Sequence, residues 1–459
     1  MTEETLTEKL ACYQAGLRLD QVPDTVVHAA KLHILDSLGC LLAGTRLEPG
    51  KLAYDFALRM IGHANACSAT LFGTNTRVSY LDAVQAMSVA AHCGEMDDIH
   101  SGAGTCIGGM VIPALISMAE RFGGHGRRFL EAAIVGYETT ARIGLAIDAP
   151  GLFAGGWWPS TVCGAFGVAA GGAKFLEWSA ERTANALGVA ALHAGGMITG
   201  GNEGATARHF VFGRAAQSGV AALLAVEQGF TGPRRAFEDP RGFCLTLCKN
   251  PRWEHLTPAN KFHLPDVAFK PYPCARQLHA GVEALLRLLE EHAITAKMIE
   301  KIKLSLPTAN ASMVNRPLLT NSRAATLGSG QYVMAVTAAR GRIDLASFEE
   351  EFLRSNEVLA LMRRVEVDGD TRLDQYFPKY WPARVTLQLS DDRSLTHEVI
   401  IPKGESGNPM TRKEVEEKFL SLAAPVLGKE KAQLAVKEVS SLESRESLLP
   451  LSSALSVGV

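Results

Sequence analysis

The sequence predicts a mainly α protein carrying a smaller α+β domain, and three observations lead to that class. From residue 5 to about 262, apolar side chains recur at helical spacing. Near 265 the pattern changes to short stretches in which apolar and polar residues alternate, the period of a half-buried strand. From Asn408 onward the helical spacing returns. The expected division is a helical domain over 1–265, rejoined by 405–459, with an α+β domain over 266–404 between them. That makes two domains, one fewer than 459 residues suggest at ~150 residues each.

Each element has its own reason. Segment 28–42 (HAAKLHILDSLGCLL) sets Ala29, Leu32, Ile34, Leu35, Leu38 and Leu41 on one broad stripe. Segments 82–91, 111–121, 129–147, 182–195 and 215–229 have the same spacing. Many of these stripes are rich in Ala and Gly, so the helices are expected to approach closely and be buried on more than one face. The uncharged stretch 149–173 holds seven glycines with Pro150 and Pro159, and is expected to be a buried turn between helices, not a membrane span. Strands are expected at 302–306, 364–367 and 384–389, with a turn at Asp391-Asp392-Arg393 leading to a hairpin partner at 396–401. Helices over 274–292 and 330–340 interrupt them.

Composition narrows the function classes. Lys and Arg number 46 against 48 Asp and Glu, a net charge of −2, so no global positive field exists to attract nucleic acid or an anionic membrane. Any anionic ligand must be held by a few local cations. The nine cysteines are scattered without a CxxC pair, which points to free thiols in a reducing compartment. The acidic, polar start MTEETLTEKL resembles neither a secretory nor a transit peptide, and the expected location is cytoplasmic.

Generic catalytic motifs are missing: there is no P-loop, no GxSxG and no HExxH. The densest polar cluster is His92-Cys93-Gly94-Glu95-Met96-Asp97-Asp98-Ile99-His100. Were the helix to continue through it, His92, Glu95 and Ile99 would share a face while Asp97 and Asp98 point elsewhere. A metal site, a helix end whose acids cap the following glycine-rich loop, and metal-free acid–base chemistry all remain open for this cluster. A second candidate is Lys270, set between Phe269 and Pro271-Tyr272-Pro273 ahead of a helix, where a rigid cation suits a carboxylate. A third is Arg208 with His209, since a guanidinium binds carboxylates in bidentate fashion. Trp157-Trp158 reads as core before ligand platform.

Over most of its length, from about Leu6 to about Leu448, the chain resembles the MmgE/PrpD family, which includes 2-methylcitrate dehydratase, cis-aconitate decarboxylase and iminodisuccinate epimerase. The matching motifs are Asp97-Asp98-x-His100, Pro113-Ala114 with Ala119-Glu120, and Gly136-Tyr137-Glu138 with Arg142. Gly213 to Gly219 (GRAAQSG), Gly229 to Pro233 (GFTGP), Lys270-Pro271-Tyr272 and Asn408-Pro409-Met410 complete them. The resemblance implies a large helical domain with a smaller α+β lid, a homodimer, and no metal or organic cofactor. It also implies a pocket built from an Asp, a Thr, two His, two Lys and a Tyr. Here those positions fall on Glu95, Ile99, Thr105, Trp158, Arg208, Lys270 and Tyr332. Both family imidazoles are therefore replaced, by Thr105 and Trp158.

The family chemistry is removal of a proton next to a carboxylate, with cations stabilising the enolate-like charge. Lys270 and Arg208 are expected to hold carboxylates, and Tyr332 to donate a hydrogen bond or proton. With both imidazoles gone, His100 is the expected base, with His209 and Lys270 in reserve. Glu95, Asp98, Thr105, Trp158 and His209 are expected around a small carboxylate substrate. Trp158 would shrink and dry the pocket, favouring a substrate less polar than citrate-like triacids. The glycine loops 102–109, 155–156 and 200–204 are expected to converge on it. A lyase that eliminates water or carbon dioxide leads, ahead of an epimerase of the iminodisuccinate type and a non-catalytic binding protein.

Overall fold

The computed structural model describes residues 4–60, 68–199, 204–257, 261–317 and 322–457. Cys67 and residues 200–203 of the expected glycine loop lie outside the described residues. Helices Asp24–Gly44, Tyr80–His92, Gly108–Phe122, Gly126–Ala146, Ala180–His193 and Ala207–Glu227 follow the expected segments with longer or shifted ends. They share one hydrophobic core, in which Leu41, Met87, Val111, Ile134, Phe166 and Phe212 are fully buried. Among the described residues the remaining eight cysteines are free thiols.

The segment 149–173 departs from expectation. It forms a short helix, Ala149–Ala154, and after a turn at Gly155-Gly156 the long helix Pro159–Phe175. Every residue of that second helix is buried, between the Gly126–Ala146 and Ala207–Glu227 helices. Glycines read as turn residues are contact residues instead: a methyl group on Gly167 would collide with Thr140 Oγ1 across the helix pair. The intrinsic cost of glycine in a helix, about 1 kcal/mol each, is offset by this close backbone approach.

The α+β part holds a four-stranded sheet in the order Val365–Gly369, Ile299–Leu306, Ala383–Leu389, Ser394–Val399. The first pair is parallel and the other two antiparallel. Helices His279–Glu291 and Gly330–Arg340 cover the sheet, and Leu304, Val385 and Leu387 are buried with Leu285 and Val336 in a second core. The expected helix start at 274 moves to His279, because Arg276–Leu278 forms a single 3-10 turn. The chain then returns through helix Arg412–Leu427, which packs on Asp24–Gly44. There Lys418 and Asp36 form a buried ion pair of 2.6 Å.

Helices Asp24–Gly44 and Ala207–Glu227 are long and apolar enough to cross a membrane by composition alone, yet most of each is buried inside the fold. Their apolar surface is spent on the protein core.

Candidate active site

The site begins where one helix stops. Helix Tyr80–His92 ends at its C-cap Cys93, and Glu95 takes a left-handed backbone conformation with φ of 52°. The expectation that Glu95 and Ile99 continue the helical face of His92 is thus corrected: the backbone reverses after His92. The acids then separate. Asp97 turns toward His92, whereas Asp98 accepts the N–H of Gly108 at 2.9 Å and of Ile107 at 3.3 Å. Its other oxygen meets Tyr137 OH at 2.6 Å and His33 Nδ1 at 2.9 Å. Asp98 caps the Gly108–Phe122 helix and has no free oxygen for a substrate. Gly108 is required here, since a methyl group would collide with Ser37 Oγ and the Tyr137 hydroxyl.

Beyond Asp98, Ile99 exchanges backbone hydrogen bonds with Ala268 at 3.0 and 2.7 Å. That pairing aligns the acid/His loop with the segment carrying Lys270. Lys270 Nζ lies 3.2 Å from Glu95 Oε2 and 3.6 Å from Asp97 Oδ1. The other Glu95 oxygen, Oε1, pairs with Arg208 Nη2 at 2.5 Å. Arg208 Cζ in turn sits 5.2 Å from the centre of the Trp158 ring, a cation–π contact.

These groups border a cavity of about 620 Å³. His92, Glu95, Arg208, Lys270, Arg276 and Arg316 form its polar side, and Phe153, Trp158, Ile198, Met313, Phe377 and Trp381 its apolar side. Arg276 is bound to Glu405 at 2.7 Å, and Glu405 also accepts from Ser101 Oγ at 2.7 Å, which ties the two parts of the molecule together beside the cavity.

The His92 ring is stacked on Phe212 at 4.2 Å, and its Nδ1 lies 2.9 Å from Asp97 Oδ2. A carboxylate only accepts, so Nδ1 carries the proton, and in the neutral ring Nε2 offers its lone pair. Nε2 has no hydrogen-bond partner and stands 3.7 Å from Glu95. A neutral imidazole oriented in this way by an acid neighbour has the geometry of a general base.

Electrostatics assign the remaining roles. Burial pushes the Glu95 carboxyl up, but the Lys270 ammonium and the Arg208 guanidinium outweigh it and hold the group well below the usual carboxylate range. Burial opposes the Lys270 ammonium, yet the Glu95 and Asp97 carboxylates hold its pKa above the ordinary value. Lys270 is therefore a fixed cation, and its reserve role as base is withdrawn. Burial drives the Cys106 thiol well above its ordinary value, so sulfur keeps its proton.

Of the residues singled out in the sequence, Glu95, Ile99, Trp158, Arg208 and Lys270 border the cavity; Asp98, His100, Thr105, His209 and Tyr332 are not part of its lining. His100 Nδ1 accepts the Ala103 N–H at 3.1 Å, with its ring beside His263. Thr105 accepts the His100 N–H through its backbone carbonyl at 2.9 Å, and the wall at that point is Gly104 and Cys106. His209 is buried 5.6 Å from His92, with neither ring nitrogen partnered. Tyr332 is fully buried in the second core, and its hydroxyl donates to the Ser347 carbonyl at 2.8 Å. Helix Gly330–Arg340 directs it toward the 3-10 turn Leu345–Phe348, where its ring lies 5.7 Å from that of Phe348.

Sequence reasoning missed His92 and Asp97 as a pair, and Cys106, Arg276 and Arg316 as cavity residues. The signal for the pair was their membership of one cluster, but only the break after His92 brings them together.

Among the described residues two groups of donors suit a metal by residue type: His92, Asp97 and Cys106, and separately His100, His263 and Asp266. In the first, the Lys270 ammonium already supplies the positive charge. In the second, the Ala103 N–H directed at His100 Nδ1 places the ring proton on Nε2, the nitrogen a metal would need.

Comparison with known proteins agrees with this architecture. The MmgE/PrpD N-terminal domain matches residues 8–256 and the MmgE/PrpD C-terminal domain residues 272–443. A cis-aconitate decarboxylase-like protein of Aspergillus oryzae is 27% identical over 96% of this chain and 95% of its own. Cis-aconitate decarboxylase of Homo sapiens is 27% identical over 99% of this chain and 95% of its own. An alkylcitrate dehydratase of a fungal species is 27% identical over 45% of this chain and 44% of its own. Decarboxylases and dehydratases are lyases, and the chain is an enzyme of that kind. With two consecutive domain matches spanning nearly all of its length, it belongs to the MmgE/PrpD family.

Proposed function

We propose that this enzyme is a cofactor-independent lyase acting on a small carboxylic acid that bears an apolar substituent. The observation that carries the reading is the His92–Asp97 pair: His92 borders the cavity beside Lys270 and Arg208, and its Nε2 has no hydrogen-bond partner. His92 takes the proton next to a substrate carboxylate. Lys270 and Arg208 stabilise the enolate-like charge that develops there, in a buried setting where such charges count for more than in water. Glu95 occupies both cations through its two oxygens, the arrangement a substrate carboxylate would share or displace. The wall of Trp158, Phe153, Ile198 and Trp381 favours an alkyl or aryl substituent over a further carboxylate. The homodimer that the family resemblance implies belongs to the same proposal; sedimentation at the mass of a single chain at micromolar concentration would exclude it.

The test is a panel of 2-alkylmalates and 2-alkylcitrates, from methyl to octyl, followed by appearance of the unsaturated product. Turnover that improves with chain length is expected, and no turnover of any member would overturn the reading. Deuterium entering recovered substrate from heavy water, without elimination product, would identify an epimerase instead.

A further inference from the structure

Elimination needs a base for the proton and an acid for the leaving group. Thr105 is not part of the lining, Trp158 offers only a weakly acidic indole N–H, and Tyr332 is committed to the Ser347 carbonyl away from the cavity. Lys270 is engaged by two carboxylates.

Cys106 remains. It borders the cavity from the loop that enters the Gly108–Phe122 helix, and its N–H is anchored to Ser160 Oγ at 3.0 Å. Its Sγ stands 4.0 Å from Lys270 Nζ. The sulfur, a ring nitrogen of His92 and a carboxylate oxygen of Asp97 all lie within 4.8 Å of one another. A thiol is a far stronger acid than the serine hydroxyls that share the lining, and a neighbouring ammonium stabilises the thiolate left behind.

We propose that Cys106 is the proton donor of the elimination, giving its thiol proton to the leaving hydroxyl while His92 takes the proton next to the carboxylate. This rests on the reading of His92 as base. The carbon–hydrogen bond breaks, its electrons form the double bond, and the carbon–oxygen bond breaks as the oxygen collects the thiol proton and leaves as water. A thiolate faces Lys270 and an imidazolium faces Asp97. The imidazolium proton then returns to sulfur across the released water, which restores both groups. Nothing is oxidised or reduced.

The experiment compares wild type with Cys106→Ala and Cys106→Ser on two substrates. One is the panel member with the highest kcat/KM; the other is its analogue with fluorine in place of the hydroxyl. Fluoride leaves without needing a proton. Cys106→Ala is expected to lower kcat on the hydroxy acid by about 100-fold with KM little changed, while fluoride elimination stays near the wild-type rate. Equal losses on both substrates would mark a packing role and overturn the proposal. So would unchanged kcat on the hydroxy acid in a variant that melts like wild type. Cys106→Ser retains the volume and is expected to lose kcat as well, because serine is a poorer acid. If wild type eliminates from neither substrate, the proposed function fails and this inference with it. If His92→Asn is inactive while Cys106→Ala is not, this inference alone fails.

Discussion

At the scale of single residues, two contacts separate this site from a generic buried ion cluster. Asp97 fixes the tautomer of His92, and Lys270 lies between two buried carboxylates. Replacing His92 with Asn keeps a hydrogen bond to Asp97 but removes the basic nitrogen. We expect kcat to fall by about 10²- to 10⁴-fold with the melting temperature little changed, as read by steady-state kinetics beside calorimetry. Lys270→Met should behave differently. It leaves Glu95 and Asp97 buried without their shared cation, a cost of about 3–5 kcal/mol, so both activity and the urea midpoint should fall. A Lys270→Met variant as stable as wild type would show that the carboxylates are not charged together.

Among elements, the decisive one is the start of the Gly108–Phe122 helix. Asp98 caps it, Tyr137 from the neighbouring helix secures Asp98, and Gly108 lets both approach. The Gly108→Ala variant forces a methyl group into Ser37 and Tyr137 and should cost about 1–3 kcal/mol. Cys106 sits two residues upstream, so the same variant should also lower kcat; thermal melts and kinetics on one preparation test both. Most helix ends were legible to within about four residues because apolar periodicity and capping are local, whereas the Ala207–Glu227 helix begins well before the expected 215. The Pro159–Phe175 helix was not legible, because its glycines signal a break locally and a tight contact only once Thr140 and Gly136 stand opposite.

For the whole molecule, buried imidazoles couple folding to pH. His209, His279, His100 and His263 are all held below the ordinary value of 6.5, foremost by burial, and His263 falls to about 3. In the unfolded chain these rings gain protons as pH drops through 6.5, whereas the folded protein resists them. The unfolded state then binds more protons, so stability falls with acidification. The urea midpoint should drop between about pH 7.5 and 5.5, before most carboxylates titrate. A midpoint that is flat over that range would contradict the burial of these rings. His209→Gln should make the dependence shallower.

Sequence alone determined the helix-rich class, the sheet-bearing segment after residue 265 and the family resemblance, and it singled out Glu95, Arg208 and Lys270 as candidates. Periodicity, turn chemistry and motif order are properties of neighbouring residues and can be read from a string. Tertiary structure decided which acid serves which role. Asp97 and Asp98 are adjacent in sequence and alike in chemistry, yet the reversal at Glu95 sends one to His92 and the other to a helix start. It likewise set His92, and not His100, in the cavity wall and withdrew Tyr332 into the second core. The direction of a side chain after a helix break depends on what packs around it, and here that packing comes from residues more than a hundred positions away, Lys270 and Phe212 among them.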